Sequence, residues 1–418
     1  MENAVRNNEI VGRCLDMCPE RERKTRELQE RLHPLEVAPG VNPKSANASH
    51  MTMIKEYSRP AAGKADAVAS DLRPPEVLLE TMHYMITKLL QRSDQSFVTQ
   101  YDFIFDRTRS IRQDLVIQRA SGVECMQILE LAIRFHLYSG YRLCTEHVSR
   151  FDGKINNDHT QECLKRLLVM YQDAETDGST TSPNREEFEA LYLIFNLGSP
   201  EALRHALSLP VGVRQCPSVR LALRIHSAHL QGNFIRVWRL GSQCDYIQSC
   251  ALHRHLRLAR WQALQILNTA YSSKNLRFPV RVLSKWLVFD SDNDTIEYLE
   301  LCGLEVNDRG VAFHKSTPVA AEAIVSGNLT GALLGLEKSK VVPILKFKRK
   351  FILSEWYITF VFVQLCTVRH GGMPPHWKCS KLVDSKQGSF LSHDLIMGCE
   401  QPGRRSEGKY PSPNYPER

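Results

Sequence analysis

The sequence predicts a mainly α-helical protein: a stack of helical pairs, then a small module of two helices and a hairpin, then a flexible tail. Three observations support this prediction. Apolar residues recur at helical spacing from about residue 74 to 276, with glycines at most of the joints. Residues 279–315 follow the order helix, turn, helix and hairpin. The last part of the chain is rich in Pro, Gly, Ser and Lys, a composition typical of disorder.

The composition of the chain is typical of a soluble globular protein with two or three domains. It has 418 residues, of which 43% are hydrophobic and 24% charged. The twelve cysteines are scattered and the polar N-terminus carries no secretory signal, so we expect a reducing, intracellular compartment. Residues 351–368 approach the roughly 20 apolar residues of a membrane span. Because Glu355 and Gln364 interrupt this stretch, we expect no membrane insertion.

The run CLDMCPERER, which starts at Cys14, predicts the beginning of a charged helix. Pro19 suits the first helical position, Cys18 would be the capping residue, and acids follow where the helix dipole favours them. Pairs of an acid and a base four residues apart extend the helix to His33, where a proline follows. Cys14 and Cys18 are four residues apart, but no second close pair of ligands follows. We therefore expect no structural zinc.

The segment after this helix differs from the rest of the chain, because residues 35–73 hold several Pro and Gly residues and few large apolar ones. We expect it to run extended over another surface, with Ile54 and Tyr57 as its main apolar side chains. A helix is then predicted from Pro74 to Leu90. Further helices are predicted near residues 97–119, 123–147, 156–174, 184–197, 199–208, 217–230, 233–241, 244–250 and 252–271. Helix pairs of roughly 30–45 residues are consistent with a solenoid, in which each unit buries a face of the next.

One predicted helix, residues 102–118, carries both an apolar stripe and a set of arginines. Ile104, Ile111 and Leu115 lie on the stripe, and aspartates of the same helix are available as ionic partners. Charged residues beside an apolar stripe are typical of a solvated helix face, so we favour this structural interpretation over ligand binding. The arginines are Arg107, Arg109 and Arg112.

Residues 279–315 predict the parts of a winged helix. Apolar residues indicate one helix that ends near Phe289, and Asp294 could cap a second helix, which Gly303 would end. Two short strands around residues 307–310 follow as a hairpin. The second helix carries acids and no Lys or Arg, so we do not expect it to enter a DNA groove, as winged helices elsewhere do.

Positive charge is concentrated between Glu201 and Arg281, a stretch with twelve Lys or Arg and two acids. The excess is larger than the net charge of the whole chain, which is +8. Three interpretations stay open. The first two are sequence-independent, salt-sensitive contact with nucleic-acid phosphates and a groove for an acidic partner protein. In a third, the basic side chains pair with acids elsewhere in the chain, such as Glu186, Glu187, Asp292 and Asp294. The candidate binding residues are Arg220, Arg224, Arg236, Arg239, Arg254, Arg257, Arg260, Lys274, Arg277, Arg281 and Lys285.

The sequence contains no familiar catalytic motif. The patterns G-x-S-x-G, G-x-x-x-x-G-K-[ST], H-E-x-x-H and G-x-G-x-x-G are all missing. His226, His229, His253 and His255 could be imagined as a metal site, but histidines on basic helices are more often at the surface or face a partner. We therefore expect no catalysis, no metal and no cofactor.

Several runs in the sequence resemble the Sac-three/GANP family, whose members are helical scaffolds of messenger-RNA export and of the centrosome. The run CLDMCPERER matches the family signature, and blocks that start at Arg107, Phe151, Phe188 and Gly232 follow in family order. The resemblance covers residues 11–315. It identifies as signature residues with a structural role Cys14, Asp16, Cys18, Pro19, Arg107, Arg109 and Arg112.

The resemblance implies a PCI-like helical-repeat solenoid that ends in a winged helix, and a scaffolding rather than a catalytic role. The run KEYSRPAAGK, which starts at Lys55, is similar to that of the small, centrosome-associated member of the family. The expected domains are a signature helix and extended segment (1–73), helical repeats (74–276), a winged-helix module (277–315) and a divergent, partly disordered tail (316–418). No function is assigned to the tail, because it departs from the family pattern.

Two functional hypotheses follow from the resemblance. In the first, the protein is a scaffold for centrosome duplication, spindle assembly and mitotic progression, located in the cytoplasm, at the centrosome and on the spindle, with centrosomal proteins as partners. In the second, it is a messenger-RNA export adaptor in the nucleus. That adaptor would pair with a second PCI-type protein and a small acidic subunit, and would contact RNA or DNA together with them.

Overall fold

The computed structural model describes residues 10–47, 49–59, 68–179, 182–289, 291–316 and 319. In these residues the apolar spacing produces the predicted helices, and the protein is mainly α-helical. Before the stack, an irregular segment lies between α1 (Glu20–Leu28) and α2 (Pro75–Tyr84), and a π-helical turn, Met85–Leu89, extends α2. The stack consists of α3 (Phe97–Ile117), α4 (Val123–Arg142), α5 (Gly153–Thr176), α6 (Arg185–Phe195), α7 (Pro200–Ser208), α8 (Val211–Gln215), α9 (Pro217–Leu230), α10 (Phe234–Gly241), α11 (Tyr246–His253) and α12 (Leu256–Ala270).

Several of these helices begin where a short polar side chain accepts a hydrogen bond from the first turn. Such a cap satisfies backbone N–H groups that the helix itself leaves unpaired. At the start of α11, for example, Asp245 forms a reciprocal capping box with Gln248. The other residues that cap a helix in this way include Ser96, Asp152, Ser199, Asn233 and Ser291.

The helices of the stack pack around one long apolar core. α4 packs on α5, α6 on α9 and α9 on α10, while α11 lies against both α4 and α6. The buried face of each helix follows the helical period, as Ile128, Leu129 and Ala132 of α4 illustrate. The core starts at Leu35, in the irregular segment, and continues to Val288. Neighbouring helices therefore bury one another's apolar faces.

The predicted boundaries of the first helix were wrong. α1 begins after Pro19, which is the N-cap, and it ends at Leu28 instead of His33. Glu30 adopts a left-handed conformation with φ of 52°, and the chain turns there. A short 3-10 turn then brings Glu36 back to α1, so the turn is needed for the ion pairs that follow.

Buried ion pairs hold the N-terminal segment on α3. Arg26 of α1 is fully buried, pairs with Glu36 and lies 3.2 Å from a carboxylate oxygen of Glu56. From α3, Arg107 reaches the same two carboxylates, each at 3.4 Å. Glu36 also accepts a hydrogen bond from the backbone N–H of Ile54 at 3.1 Å. Each of these buried charges therefore has opposite charges and hydrogen bonds around it, which buried ions require.

A second buried ion pair fixes the segment farther along α3. Asp114 accepts a hydrogen bond from Arg73 at 2.8 Å and one from Lys55 at 2.7 Å. At the end of α3, the side chain of Gln118 accepts a hydrogen bond from the backbone N–H of Gly12 at 2.8 Å. The predicted irregular segment therefore lies over another surface, as expected, and that surface is α3.

The interpretation of the α3 arginines as a solvated face was wrong. Arg107 and Arg112 are buried, and Arg112 forms an ion pair with Glu162 of α5 at 2.5 Å. The guanidinium of Arg109 lies over the ring of Tyr57, 3.9 Å from its centroid. Each of the three guanidinium groups therefore contacts a neighbouring part of the fold, because α3 is covered by the N-terminal segment and α5.

The C-terminal part of the described chain forms a smaller apolar core. α13 (Val280–Leu287) and α14 (Asp292–Leu301) pack together, and β1 (Val306–Asn307) pairs with β2 (Gly310–Val311) as an antiparallel hairpin. Apolar residues of α12, such as Leu264, complete this core. Two helices and a hairpin are thus present where they were predicted. The side chain that caps α14 is Ser291, not Asp294 as predicted.

Arg260 of α12 joins the two cores. Its buried guanidinium donates hydrogen bonds to the carbonyl oxygens of Leu287 at 2.7 Å and Val288 at 2.5 Å, and it lies over the ring of Phe289. Val288 has a φ of 65°, which is strained for a β-branched residue. The side chain of Val288 belongs to the large core and that of Phe289 to the small core. Arg260 was predicted to bind nucleic acid or an acidic partner. That prediction was wrong, because Arg260 is a buried structural residue.

We expect Glu36→Gln to lower the free energy of unfolding of the full chain by about 3–5 kcal/mol, because two buried guanidinium groups lose their shared charge partner. Urea unfolding followed by circular dichroism measures this change. Glu20→Gln is the matched control, since the Glu20–Lys24 pair is exposed, and it should leave stability nearly unchanged. An equal effect of the two variants would contradict the importance of the buried network.

Candidate nucleic-acid or partner interface

Arginines from α9 and α10 line one groove at the surface. Arg220 and Arg224 are exposed on α9, because Val219, Ala222 and Ile225 turn the opposite face of that helix into the core. Arg236 and Arg239 are exposed on α10 in the same way. A cavity of about 480 Å³ between the two helices is lined by Arg224, Asn233, Ile235, Arg236, Arg239, Leu240 and Gln243. Three of the predicted binding residues therefore share one concave surface.

These arginines form no ion pair within the part of the chain that the structure describes. This holds for Arg220, Arg224, Arg236 and Arg239. Two of the acids proposed as their partners are used elsewhere: Glu187 accepts two hydrogen bonds from Arg134, at 2.6 and 2.9 Å, and Asp292 accepts one from Ser284. The positive charge of the four arginines therefore faces solvent, where it is available to an external anion.

The helix α13 adds further basic side chains next to α10. Arg281 and Lys285 are exposed on α13, which packs against α10. Lys274, in the connection before α13, is exposed as well. Arg277 is half-buried and pairs with Glu305 at 3.0 Å. The groove and α13 therefore carry five of the eleven predicted basic residues, and Arg277 contributes less free charge than predicted. We call Arg224, Arg236, Arg239, Arg281 and Lys285 the basic surface.

Arg254 and Arg257 lie in a different environment. Both line a second cavity, of about 490 Å³, together with Glu146 and Asp158. The guanidinium of Arg254 lies 3.8 Å from the ring centroid of Phe195 and donates a hydrogen bond to the carbonyl oxygen of that residue. The cavity holds as many acids as bases, because Asp152 and Lys154 line it too, so these two arginines do not extend the basic surface.

The signature residues at the N-terminus serve the fold. Burial raises the pKa of the thiols of Cys14 and Cys18, which keeps both thiols protonated. Cys14 donates a hydrogen bond to the carbonyl oxygen of Asp16, whose carboxylate pairs with Arg23 at 2.6 Å. Cys18 is buried in a small apolar cluster and does not cap α1, which starts after Pro19. Among the described residues, no three His, Cys, Asp or Glu side chains lie close enough to hold a metal ion.

The histidines proposed as a possible surface or metal group lie inside the stack. His226 and His253 are buried, and His255 hydrogen-bonds the carbonyl oxygens of Ile194 and Phe195. Burial lowers the pKa of His253 to about 4 and that of His255 to about 3. The expectation that they face solvent or a partner was wrong, because their helices turn these positions toward the apolar core.

α14 carries the opposite charge to the basic surface. Glu297 and Glu300 are exposed on it, and neither is paired with a basic group of the described chain. An anionic helix repels phosphates, so a nucleic acid that contacts this protein would avoid α14.

The prediction about membrane insertion concerned residues 351–368, which lie outside the described residues, as does the tail from residue 320 onward. Among the helices described, none combines the length and the apolar character that crossing a bilayer requires.

The fold and this surface define a protein built of stacked helices with a helix and hairpin module beside a basic groove. The chain belongs to the SAC3/GANP family, which it matches over residues 17–308. The resemblance predicted from the signature is therefore confirmed.

Three curated relatives show similar levels of identity. The chain is 30% identical over 310 residues to Protein xmas of Drosophila melanogaster, with 72% of this chain and 15% of that protein covered. It is 29% identical over 318 residues to SAC3 family protein 1 of Schizosaccharomyces pombe, with coverage of 72% and 30%. It is 30% identical over 318 residues to SAC3 family protein B of Arabidopsis thaliana, with coverage of 73% and 18%. The chain thus spans less than a third of the length of each of these relatives.

The buried histidines predict that stability falls as the pH drops from about 6.5 to about 4.5. In the unfolded chain these histidines bind protons below about pH 6.5. In the folded chain burial lowers their pKa, so they bind protons only at lower pH, and acid therefore favours the unfolded state. Urea unfolding at several pH values measures the slope. His255→Gln should make the slope shallower, because the pKa of His255 is lowered to about 3 in the folded chain. A slope that is flat over this range would contradict the buried, neutral histidines.

Proposed function

We propose that this protein is a non-catalytic helical scaffold that contacts RNA through its basic surface, as a messenger-RNA export adaptor. The observation that carries the proposal is the groove between α9 and α10, where Arg224, Arg236 and Arg239 converge without ionic partners in the described chain. Guanidinium groups bind phosphate oxygens with paired, charge-assisted hydrogen bonds. The family of the chain supports the same proposal, because the resemblance described above implies scaffolds of messenger-RNA export.

We further propose that the helical stack is a PCI-like solenoid and that residues 277–315 form a winged-helix module. Stacked helix pairs, then two helices and a hairpin in that order, support this assignment. The acids on α14 keep this helix away from phosphates and leave it for protein contact. The partners we propose are a second PCI-type protein and a small acidic subunit, which would bind together with this chain.

The centrosome and spindle hypothesis stays a prediction. It depends on the run KEYSRPAAGK, of which residues 55–59 are described. Lys55 pairs with Asp114 and the ring of Tyr57 lies under Arg109, so both residues act within the fold. We therefore propose the export hypothesis, which the family supports, with a nuclear location, and we keep the cytoplasm, centrosome and spindle as the alternative.

We expect the full chain to bind single-stranded RNA with micromolar affinity at low salt and to lose several orders of magnitude in affinity between about 50 and 200 mM salt. The triple variant Arg224→Glu, Arg236→Glu, Arg239→Glu should bind at least about tenfold more weakly, because it replaces phosphate contacts by repulsion. Fluorescence anisotropy with labelled RNA of unrelated sequences measures both effects.

A matched control changes the net charge by the same amount at another place. Arg21, Lys24 and Lys44 are exposed basic residues of the N-terminal segment, and their triple replacement by Glu should reduce RNA affinity much less. If the wild-type protein does not bind RNA at about 50 mM salt, alone or with a PCI-type partner, the nucleic-acid role is excluded. Equal losses in the two triple variants would exclude the basic surface as the binding site.

Proximity labelling in dividing cells separates the two functional hypotheses. With the full chain as bait, we expect labelled neighbours to include PCI-type and RNA-export proteins of the nucleus. A neighbour set limited to centriolar and spindle proteins would contradict the export proposal and support the centrosome hypothesis. The basic-surface variant should keep its protein neighbours, because the winged-helix contact that we propose does not involve these arginines.

A further inference from the structure

The N-terminal segment presents an apolar patch at the end of α3. Residues 11–15 run extended, so that Gly12 and Cys14 point inward and Val11 and Leu15 point outward. The outward side chains are exposed far more than such residues usually are, Val11 by 67% and Leu15 by 79%. Backbone hydrogen bonds place this strand-like run beside Ala69 and Leu72, and Gly12 contacts the end of α3. The segments joined by these contacts carry the exposed apolar side chains that we call the apolar patch: Val11, Leu15, Val68 and Ile117.

The close packing around Gly12 fixes the position of this run. A Cβ at Gly12 would lie 2.6 Å from the carbonyl oxygen of Leu72 and 2.8 Å from the side-chain oxygen of Gln118. Gln118 also donates a hydrogen bond to the carbonyl oxygen of Arg73. The backbone of this run is therefore held between Leu72 and Gln118, with Val11 and Leu15 on its solvent side. Exposed apolar side chains that lie near one another are candidates for an interaction site.

Two arginines border the apolar patch. Arg13 lies between Val11 and Leu15 and is exposed, and Arg119 follows directly after Gln118 and is exposed as well. Neither arginine forms an ion pair within the described residues. The acid nearest in sequence to this run, Asp16, is already paired with Arg23. The border of the patch is therefore positively charged and open to an external anion.

Arg119 has a backbone conformation that is unfavourable for a residue with a side chain. Its φ is 49°, and the hydrogen bond from Ala120 N–H to the carbonyl oxygen of Leu115 closes the end of α3 in the manner of a Schellman motif. Glycine is the usual residue at this position, because any Cβ is unfavourable there. An arginine at this position carries a conformational cost and gains no ion pair inside the described fold. Strain of this kind is a pointer to function outside the fold.

We propose that the apolar patch is a docking site for an acidic amphipathic segment of a second protein. The apolar side chains of such a segment would cover Val11, Leu15 and Ile117, and its carboxylates would pair with Arg13 and Arg119. Charge complementarity selects this occupant, since a basic segment would be repelled by the same two arginines. The site is separate from the basic surface on α9, α10 and α13, and the inference does not depend on RNA binding.

The test is selection of short random peptides on the full chain by phage display, with depletion on the Leu15→Asp variant. We expect peptides selective for the wild-type protein to combine apolar residues with Asp or Glu. Their affinity, measured by fluorescence anisotropy, should fall at least about tenfold in Leu15→Asp and in Arg13→Glu with Arg119→Glu. Peptides in which Lys replaces the acids should bind the double charge reversal better than the wild-type protein.

Two controls separate this proposal from others. Leu230→Asp changes an equally apolar, exposed residue of α9 and should leave peptide affinity unchanged. The triple variant of the basic surface should also bind the peptides normally, so that a failure of RNA binding and a failure of this site are distinguishable. The proposal is overturned if no peptide distinguishes the wild-type protein from Leu15→Asp, or if the selected peptides lack acids or bind the double charge reversal equally well.

Discussion

The buried carboxylate of Glu36, held between Arg26 and Arg107, is the interaction on which the N-terminal half of the structure depends. Burial by itself raises the pKa of Glu36, but the charges of Arg107 and Arg26 outweigh that effect, so the pKa lies below its ordinary value. The carboxylate therefore stays ionised where water cannot reach it. Since Arg26 lies on α1 and Arg107 on α3, the network forms only when Glu36 and Glu56 lie between these two helices. This explains how described parts of a segment with few large apolar residues pack on α3: ion pairs replace the missing apolar surface.

A different device joins the stack to the C-terminal module. Arg260 binds two successive backbone carbonyl oxygens, of Leu287 and Val288, at the turn where the chain passes from one core to the other. The strained conformation of Val288 sends its side chain into the large core, while Phe289 enters the small one. The charge of Arg260 compensates carbonyl groups that the end of a helix leaves unpaired. The same residue type thus has two uses here: buried arginines organise the chain, and exposed arginines form the basic surface.

The sequence was sufficient to predict the helices of the stack, except the short α8, and the order of elements after residue 279, because both depend on local apolar periodicity and caps. The sequence was not sufficient to distinguish the arginines that are buried in the fold from those that are exposed. Arg260 and Arg236 belong to the same basic stretch, and their difference comes from partners distant in the chain, the carbonyl oxygens near residue 288. The partners of Arg107 were missed for the same reason, since Glu36 and Glu56 lie in a segment without periodicity. A weak signal existed, because acids within a Pro-rich segment need opposite charges if that segment packs on a helix.

The distribution of paired and unpaired arginines is itself an argument about function. Where the fold needs an arginine, it supplies several acceptors, as Arg26 and Arg73 show. At the groove of α9 and α10 and beside the apolar patch, arginines are placed by rigid elements and given no ionic partner within the described chain. Beside the apolar patch, solvation alone does not explain why an arginine is present at residue 119, because its backbone conformation costs stability and suits glycine. The two surfaces differ in kind: three arginines without an ionic partner in the described chain line the groove, which suits phosphates, whereas the apolar patch with two bordering charges suits a protein segment. Under the two proposals, a nucleic acid and a partner protein would bind at separate surfaces and would not compete.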